Sequence, residues 1–419
     1  MNQQYINKNI DKNIDKYLIY VTLSRALFYL PIFVIFYKGL GVPYGVVMIF
    51  FSVLSIVKFL LEVPTGSFAD NIGRKKILAI SLIFKIISLF ILSILALFLK
   101  NINIEGYILI IISTVCFGIG EVLESGTADA LVYDYLKFYN KEEVFKNVTA
   151  KANSLIFMVF SVSGIIGGGL YSINRSLPYI FTLLAFILAF IAILSFNEIN
   201  LENKTKKKIK FFNDNYITII RSFRNIKTKK YLINIMFYGA FLFSYFMLVN
   251  WQLQILFKYI NINVALFGII FCVLNLISSI FARLYPYVEK YIDIKATLFF
   301  IAIIFSLVYI SIYFVKKSFA IILLSIILYA LWGYSVPLYS NLLNKNINSE
   351  TRATMISIQS LLKSIFYAIL SPLLGFLVDV YSIRNTFFIT GIMIFITLII
   401  PLVPIKNVTF KDENNSINI

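Results

Sequence analysis

The sequence contains no histidine among its 419 residues. That excludes imidazole as a proton shuttle or metal ligand, so any proton taken up inside the protein must be carried by a carboxylate, a lysine, a tyrosine or water. Cysteine is almost as scarce: the two present, Cys116 and Cys272, each lie within an apolar run. A disulfide framework or thiolate metal centre is not expected, nor is any cofactor. Charged residues make up only 14% of the chain. There is no Walker-type glycine loop and no nucleophile motif, and no polar stretch is long enough to form a soluble domain that hydrolyses ATP. These absences argue against an enzyme and against a primary pump.

Apolar sequence dominates what is present. Hydrophobic residues account for 60% of the chain and aromatics for 17%, whereas a soluble globule carries about 45–50% apolar residues. A helix needs roughly 20 apolar residues to cross a bilayer. Runs of that kind fall near 18–37, 43–65, 77–99, 106–135, 152–173 and 178–196, and again near 231–257, 264–285, 296–315, 319–343, 353–377 and 385–404. The pattern predicts an all-α membrane protein with twelve transmembrane helices in two pseudo-symmetric six-helix bundles. The expected division is an amino-terminal tail over 1–17, a bundle over 18–196, a basic linker over 197–230, a second bundle over 231–404 and a tail over 405–419.

The formal charge is +18, from 38 basic and 20 acidic residues. Most of the basic residues lie between apolar spans, where they face anionic lipid of the inner leaflet rather than nucleic acid. Their bias toward the side of the amino terminus places both termini in the cytoplasm of a multi-pass plasma-membrane protein. The polar first segment carries Lys8, Lys12 and Lys16 but no small-residue cleavage site, and it reads as an uncleaved tail. In the linker, Phe212, Tyr216, Ile219, Ile220, Phe223 and Ile226 recur at helical spacing after the run Lys204, Lys206, Lys207, Lys208 and Lys210. This suggests a helix lying on the inner leaflet, with a disordered basic tether as the alternative.

The most specific short signal is GSFADNIGRKK between the second and third spans, containing Gly66, Asp70, Gly73, Arg74, Lys75 and Lys76. Gly66 allows close helix approach, Gly73 lets the chain reverse, and the basic cluster resists passage through the membrane. In this spacing the chain resembles the major facilitator superfamily of transporters, although Asn71 stands where that family usually has a basic residue. The resemblance implies two halves rocking about a central site. It also implies a cytoplasmic latch in which Arg74 pairs with Asp70 and with Asp134 at the end of the fourth span. Gly164, Gly167, Gly168 and Gly169 resemble the glycine-rich motif of drug and proton antiporters in the family, without its usual proline. A loose repeat relates the halves: Arg175 and Arg384 each precede the last span of their half, whereas the turn between spans eight and nine keeps only Arg283, Asp293 and Lys295 of the opening motif.

Charges inside spans default to functional hypotheses. On the fourth span Glu121, Glu124 and Asp129 fall within an arc of about 140° at 100° per residue. Four basic residues lie within spans: Arg25, Lys58, Lys85 and Lys363. Arg25 and Lys58 are expected partners of the acidic face, and Glu121, Glu124 and Glu62 are the candidate proton carriers, Glu121 foremost. The alternative is a set of fixed ion pairs. In the second half Asn250, Trp251, Gln252, Gln254, Trp332, Tyr334, Asn341 and Lys363 supply polar and aromatic groups to a candidate substrate cavity suited to a lipophilic or amphipathic solute, a cationic one included. Together these features suggest a monomeric secondary transporter that exports a small amphipathic compound in exchange for protons. The alternatives are an uptake carrier or uniporter for a polar solute and a non-transporting receptor.

Overall fold

The computed structural model describes residues 3–198, 230–288, 291–347 and 352–404. The predicted linker helix over Phe212 to Ile226 lies outside them, and Glu62, Gly66 and Asp70 lie outside the residues whose side chains are described. Among the described residues all regular structure is helical: α1 Gln3–Leu23, α2 Phe33–Gly39, α3 Tyr44–Ile72, α4 Arg74–Phe98, α5 Ile104–Glu124, α6 Thr127–Phe138, α7 Glu142–Ile173 and α8 Leu177–Ser195 in the first half. The second half contributes α9 Lys230–Tyr259, α10 Phe267–Val288, α11 Ile294–Phe314, α12 Ser318–Asn346, α13 Arg352–Tyr381 and α14 Ile383–Leu402. Eleven spans, with α5 and α6 counted as one, are long and apolar enough to cross a membrane.

The first predicted span is the one that departs from a simple helix. The chain leaves α1 after Leu23, runs through a non-helical stretch, makes a 3-10 turn over Leu30–Ile32 and only then enters α2. Pro31 explains the break, because a continuous helix would lose a hydrogen bond to the Leu27 carbonyl and drive the proline ring into it. Instead the Leu30 N–H takes the Leu27 carbonyl at 3.3 Å. The Phe28 N–H donates to Thr182 Oγ1 on α8 at 3.1 Å, so this buried stretch is satisfied from a neighbouring helix. The fourth predicted span is also divided. Gly126, left-handed at φ 70°, ends α5 and redirects the chain into α6.

The described residues form two compact units: α1 to α8 together with Phe257–Cys272, and the remainder of the second half. In the first, α4 packs closely on α5 because Gly120 has no side chain. A Cβ there would lie 2.8 Å from the Ser81 carbonyl, while Ser81 Oγ donates to the Gly120 carbonyl at 2.7 Å. Asn13 and Asn197 exchange amide hydrogen bonds of 3.1 and 2.8 Å, and Lys16 donates to the Ser195 carbonyl at 2.6 Å, tying the start of α1 to the end of α8. Glu198 Oε1 accepts from the Lys75 N–H at 3.1 Å and so caps the first turn of α4.

The second unit repeats one device of the first. Arg175, ahead of α8, donates to the carbonyls of Ala96 (3.0 Å) and Leu99 at the carboxyl end of α4. Arg384, entering α14, donates to those of Tyr313 (3.3 Å) and Val315 (2.6 Å) at the end of α11. A cation there satisfies orphan carbonyls and meets the negative end of the helix dipole. Asp293 does not reproduce the opening motif: its carboxylate accepts from the N–H groups of Lys295 (3.1 Å) and Ala296 (3.3 Å) as the N-cap of α11.

Candidate functional site

Five ionised side chains converge inside the first unit. Glu121 and Glu124 are three residues apart on α5, hence on one face. Lys85 is the twelfth residue of the 25-residue α4, about 17 Å along the helix from Arg74 at ~1.5 Å per residue, which is mid-bilayer depth for a spanning helix. Its ammonium lies 2.5 Å from Glu121 Oε1 and also bonds Glu124 Oε2. Arg25, in the break after α1, places one guanidinium nitrogen 3.4 Å from Glu121 Oε1 and another 3.4 Å from Glu124 Oε1. Lys58 on α3 lies 3.5 Å from Glu121 Oε2. Ser24 Oγ adds a 3.2 Å hydrogen bond to Glu124 Oε1.

The cluster is graded in exposure. The side chains of Lys85 and Glu124 are 1% and 5% exposed, Glu121 is 20%, and Arg25 and Lys58 are 35% and 40%. A sealed inner pair therefore grades into an open rim. Lys85 is held among the Phe117 and Phe186 rings at 5.7 and 5.9 Å, and its stem fills the space a Cβ on Gly120 would take, 2.7 Å from Cγ. Such a group is tolerated in an apolar interior only because the carboxylates meet it.

Arg25, Lys58, Glu121 and Glu124 thus meet as the sequence suggested, and Lys85 joins them. Its signal was present as a lysine in the middle of an apolar run, but helical spacing does not reveal which neighbour a face will meet. Asp129 stands apart: the break at Gly126 puts it on α6, where it is exposed and accepts a 3.0 Å hydrogen bond from Tyr17. At the other end of α6, Asp134 Oδ2 is 3.1 Å from the Arg74 guanidinium, the pairing the family resemblance implied.

In the second unit the candidate cavity residues are engaged by several different neighbours. Gln252 and Gln254 are buried in helix packing, where Tyr309 donates to Gln252 Oε1 at 2.7 Å. Asn250 is exposed and accepts from Tyr329. Trp251 donates to the Tyr367 hydroxyl at 3.1 Å and Asn341 to that of Tyr285 at 2.6 Å. Trp332 packs its ring against Phe246 at 4.9 Å, and Tyr334 against Tyr285 at 5.8 Å. Trp251, Trp332, Tyr334 and Lys363 are half-buried. Among the described residues no cluster of acids and cysteines could hold a metal ion.

Comparison with known proteins follows the same lines. The family model of the Major Facilitator Superfamily matches residues 18–365 and 253–416. An uncharacterized MFS-type transporter, YxaM of Bacillus subtilis (strain 168), is 25% identical over 190 residues, covering 45% of this chain. The match spans only 44% of that relative's length. Among solved structures, the nucleoside transporter NupG superposes with a TM-score of 0.73 at 14% identity, covering 95% of this chain and all of that one. A D-xylose-proton symporter gives 0.64 at 12% identity, over 94% and 96% of the two chains. A bacterial homologue of the lysosomal transporter Spinster gives 0.68 at 12% identity, over 96% of each. At such identities the structures bear on the fold alone, and they carry the two-bundle architecture. With twelve apolar runs, the matched family model and an all-helical membrane fold, the chain belongs to the major facilitator superfamily, a family of transporters and not of enzymes.

Proposed function

We propose that the protein is a secondary active transporter that works by alternating access and exports a small amphipathic compound in exchange for protons, with Glu121 as the proton carrier. The observation that carries this reading is the five-membered ion cluster at mid-span depth. Glu121 is the member contacted by all three cations and lies between the sealed and open parts of the cluster. Protonating it leaves Lys85 its bond to Glu124 but releases Arg25 and Lys58 from Glu121. Arg25 sits in the break between α1 and the 3-10 turn, so a change in its partner acts on the one point where this span already bends. The protein is read as a plasma-membrane monomer, and the bias of basic residues supports the orientation with both termini inside and anionic lipid at the inner face.

Reconstitution into liposomes with an imposed pH gradient tests the assignment. Glu121→Gln keeps the shape and removes the charge change. It is expected to abolish gradient-driven accumulation of labelled compounds while sparing exchange at zero gradient. A variant that still concentrates substrate in response to the gradient would move the proton to Glu124 or Glu62, or remove it from the mechanism. The same assay reads direction. Net uptake would favour a second reading, an import carrier for a polar solute, which draws support from the amide groups of Asn250 and Asn341 on otherwise apolar helices.

The Arg74 and Asp134 pair serves in this reading as a latch between α4 and α6. An ion pair partly shielded from water is a weak stabiliser and a usable switch. Arg74→Ala is therefore expected to leave the protein inserted and folded, with transport reduced several-fold because the states lose their balance. Transport at the wild-type rate would reduce the pair to a fastening.

A further inference from the structure

We propose that the solute bound at the ion cluster is an anion, whose carboxylate or phosphate oxygens take Arg25 and Lys58 in place of Glu121. This rests on reading the cluster as the proton-coupling site and adds a solute to it, argued from a different property, the sign of its open face.

Among the described side chains three cations stand against two carboxylates in direct contact. The excess is not spread evenly. Lys85 and Glu124 form the sealed part, and Glu124 gains a further hydrogen bond from Ser24. The exposed rim is Arg25 and Lys58, with Glu121 between them at the longer separations of 3.4 and 3.5 Å. Charges at this depth do not turn toward acyl chains without a large cost, so the exposed sides of Arg25 and Lys58 are expected to face water rather than lipid. A guanidinium forked toward oxygen and an ammonium beside it present the geometry that oxyanions bind.

The surrounding groups set the condition for binding. Around the cluster are Tyr20 and Tyr29, Lys85 from α4 and, beyond contact distance, Asp129 on α6, which acts on Arg25 through space and is engaged by Tyr17. Glu62, one turn beyond Lys58 on α3, lies outside the described side chains. While Glu121 is ionised it occupies the rim cations itself. Once protonated it no longer competes, and a solute carboxylate or phosphate can replace it ion for ion. Proton and anion then occupy the site together, which sides with the import carrier, the second reading above, and not with exchange. A quaternary ammonium or protonated amine of the same shape meets like charge at the rim and is rejected.

The test uses the full-length protein in nanodiscs of phosphatidylcholine with no gradient, reading its thermal unfolding midpoint. The probes share one ring and differ in charge: phenylphosphonate, benzoate and benzyltrimethylammonium. Phenylphosphonate, which stays anionic as Glu121 titrates, is expected to raise the midpoint in a saturable way and to do so at lower concentration at acidic pH. The ammonium is expected to have no such effect. In Arg25→Gln or Lys58→Gln the half-saturating concentration should rise about tenfold or more, the loss of one charged contact. No protection by either anion, equal protection by the ammonium, or protection unchanged in both variants would overturn the proposal. In a second arm an anionic lipid is added to the disc. A midpoint rise from that lipid alone, lost in the two variants, would assign the rim to a headgroup and overturn the solute reading. Because these are equilibrium measurements, a failure of Glu121→Gln to uncouple transport leaves the charge-sign result standing, and a failure here leaves the coupling assay untouched.

Discussion

Lys85→Met is expected to lower the stability of the first unit by about 3–5 kcal/mol, the usual cost of removing one partner from a buried ion pair. The lysine is 1% exposed and bonds both Glu121 and Glu124 from the sealed side, at shorter range than Arg25 does. Methionine fills similar volume without bringing charge, so what remains is a 5%-exposed Glu124 that keeps the longer 3.4 Å contact with Arg25. The thermal midpoint of purified protein, followed by the loss of the monodisperse peak, should fall well below wild type. Because the loss comes from stranded charge rather than from a cavity, adding Glu124→Gln to Lys85→Met should restore much of it. A Lys85→Met protein as stable as wild type would show that the ammonium contributes nothing to folding. A double variant no better than the single would place the loss in packing instead.

Gly167→Ala is expected to be the most damaging methyl addition in the glycine run of α7. A Cβ on Gly167 would lie 1.8 Å from the Phe28 carbonyl oxygen, a backbone atom in the break after α1 that cannot rotate away. Either α7 withdraws from that stretch or the stretch moves, and Arg25 moves with it. Overpacking of this kind costs about 1–3 kcal/mol when side chains can yield, and more when backbone must. Gly169 provides the control, since a Cβ there meets nothing within 4 Å. Gly169→Ala should be neutral or stabilising by up to about 1 kcal/mol through helix propensity. Comparing yield of folded protein and thermal midpoint for the two variants checks the difference. Equal tolerance would mean that the close approach of α7 to Phe28 is not needed.

Much of the architecture could be read from residue order. Runs of about 20 apolar residues must become helices in a bilayer, because no other single segment satisfies its own backbone there. The spacing of Gly66, Asp70, Gly73 and Arg74 carried the family, and Arg175 and Arg384 marked a repeat that the structure gives a common role at two helix ends. The broken first span was also within reach. Pro31 stands where a helix needs an N–H, and the break it forces upstream is local chemistry.

What sequence spacing does not carry is which faces meet. That Glu121 and Glu124 share a face follows from three-residue spacing, but that Lys85 rather than Asp129 completes their surroundings depends on α4 lying against α5 at Gly120 and on the turn at Gly126. The four glycines of α7 look alike in sequence; Gly167 and Gly168 are pressed against neighbouring carbonyls, whereas Gly164 and Gly169 could each take a methyl group. Likewise Gln252 reads as a polar group in an apolar helix, and only the arrival of Tyr309 from another helix makes it part of the packing. Helical periodicity and hydropathy are properties of a segment and its solvent, so the sequence by itself determined the spans, the motif turn and the family. Contacts between segments depend on relative rotation and approach, so the tertiary structure alone decided the partners of the charges and the glycines that matter.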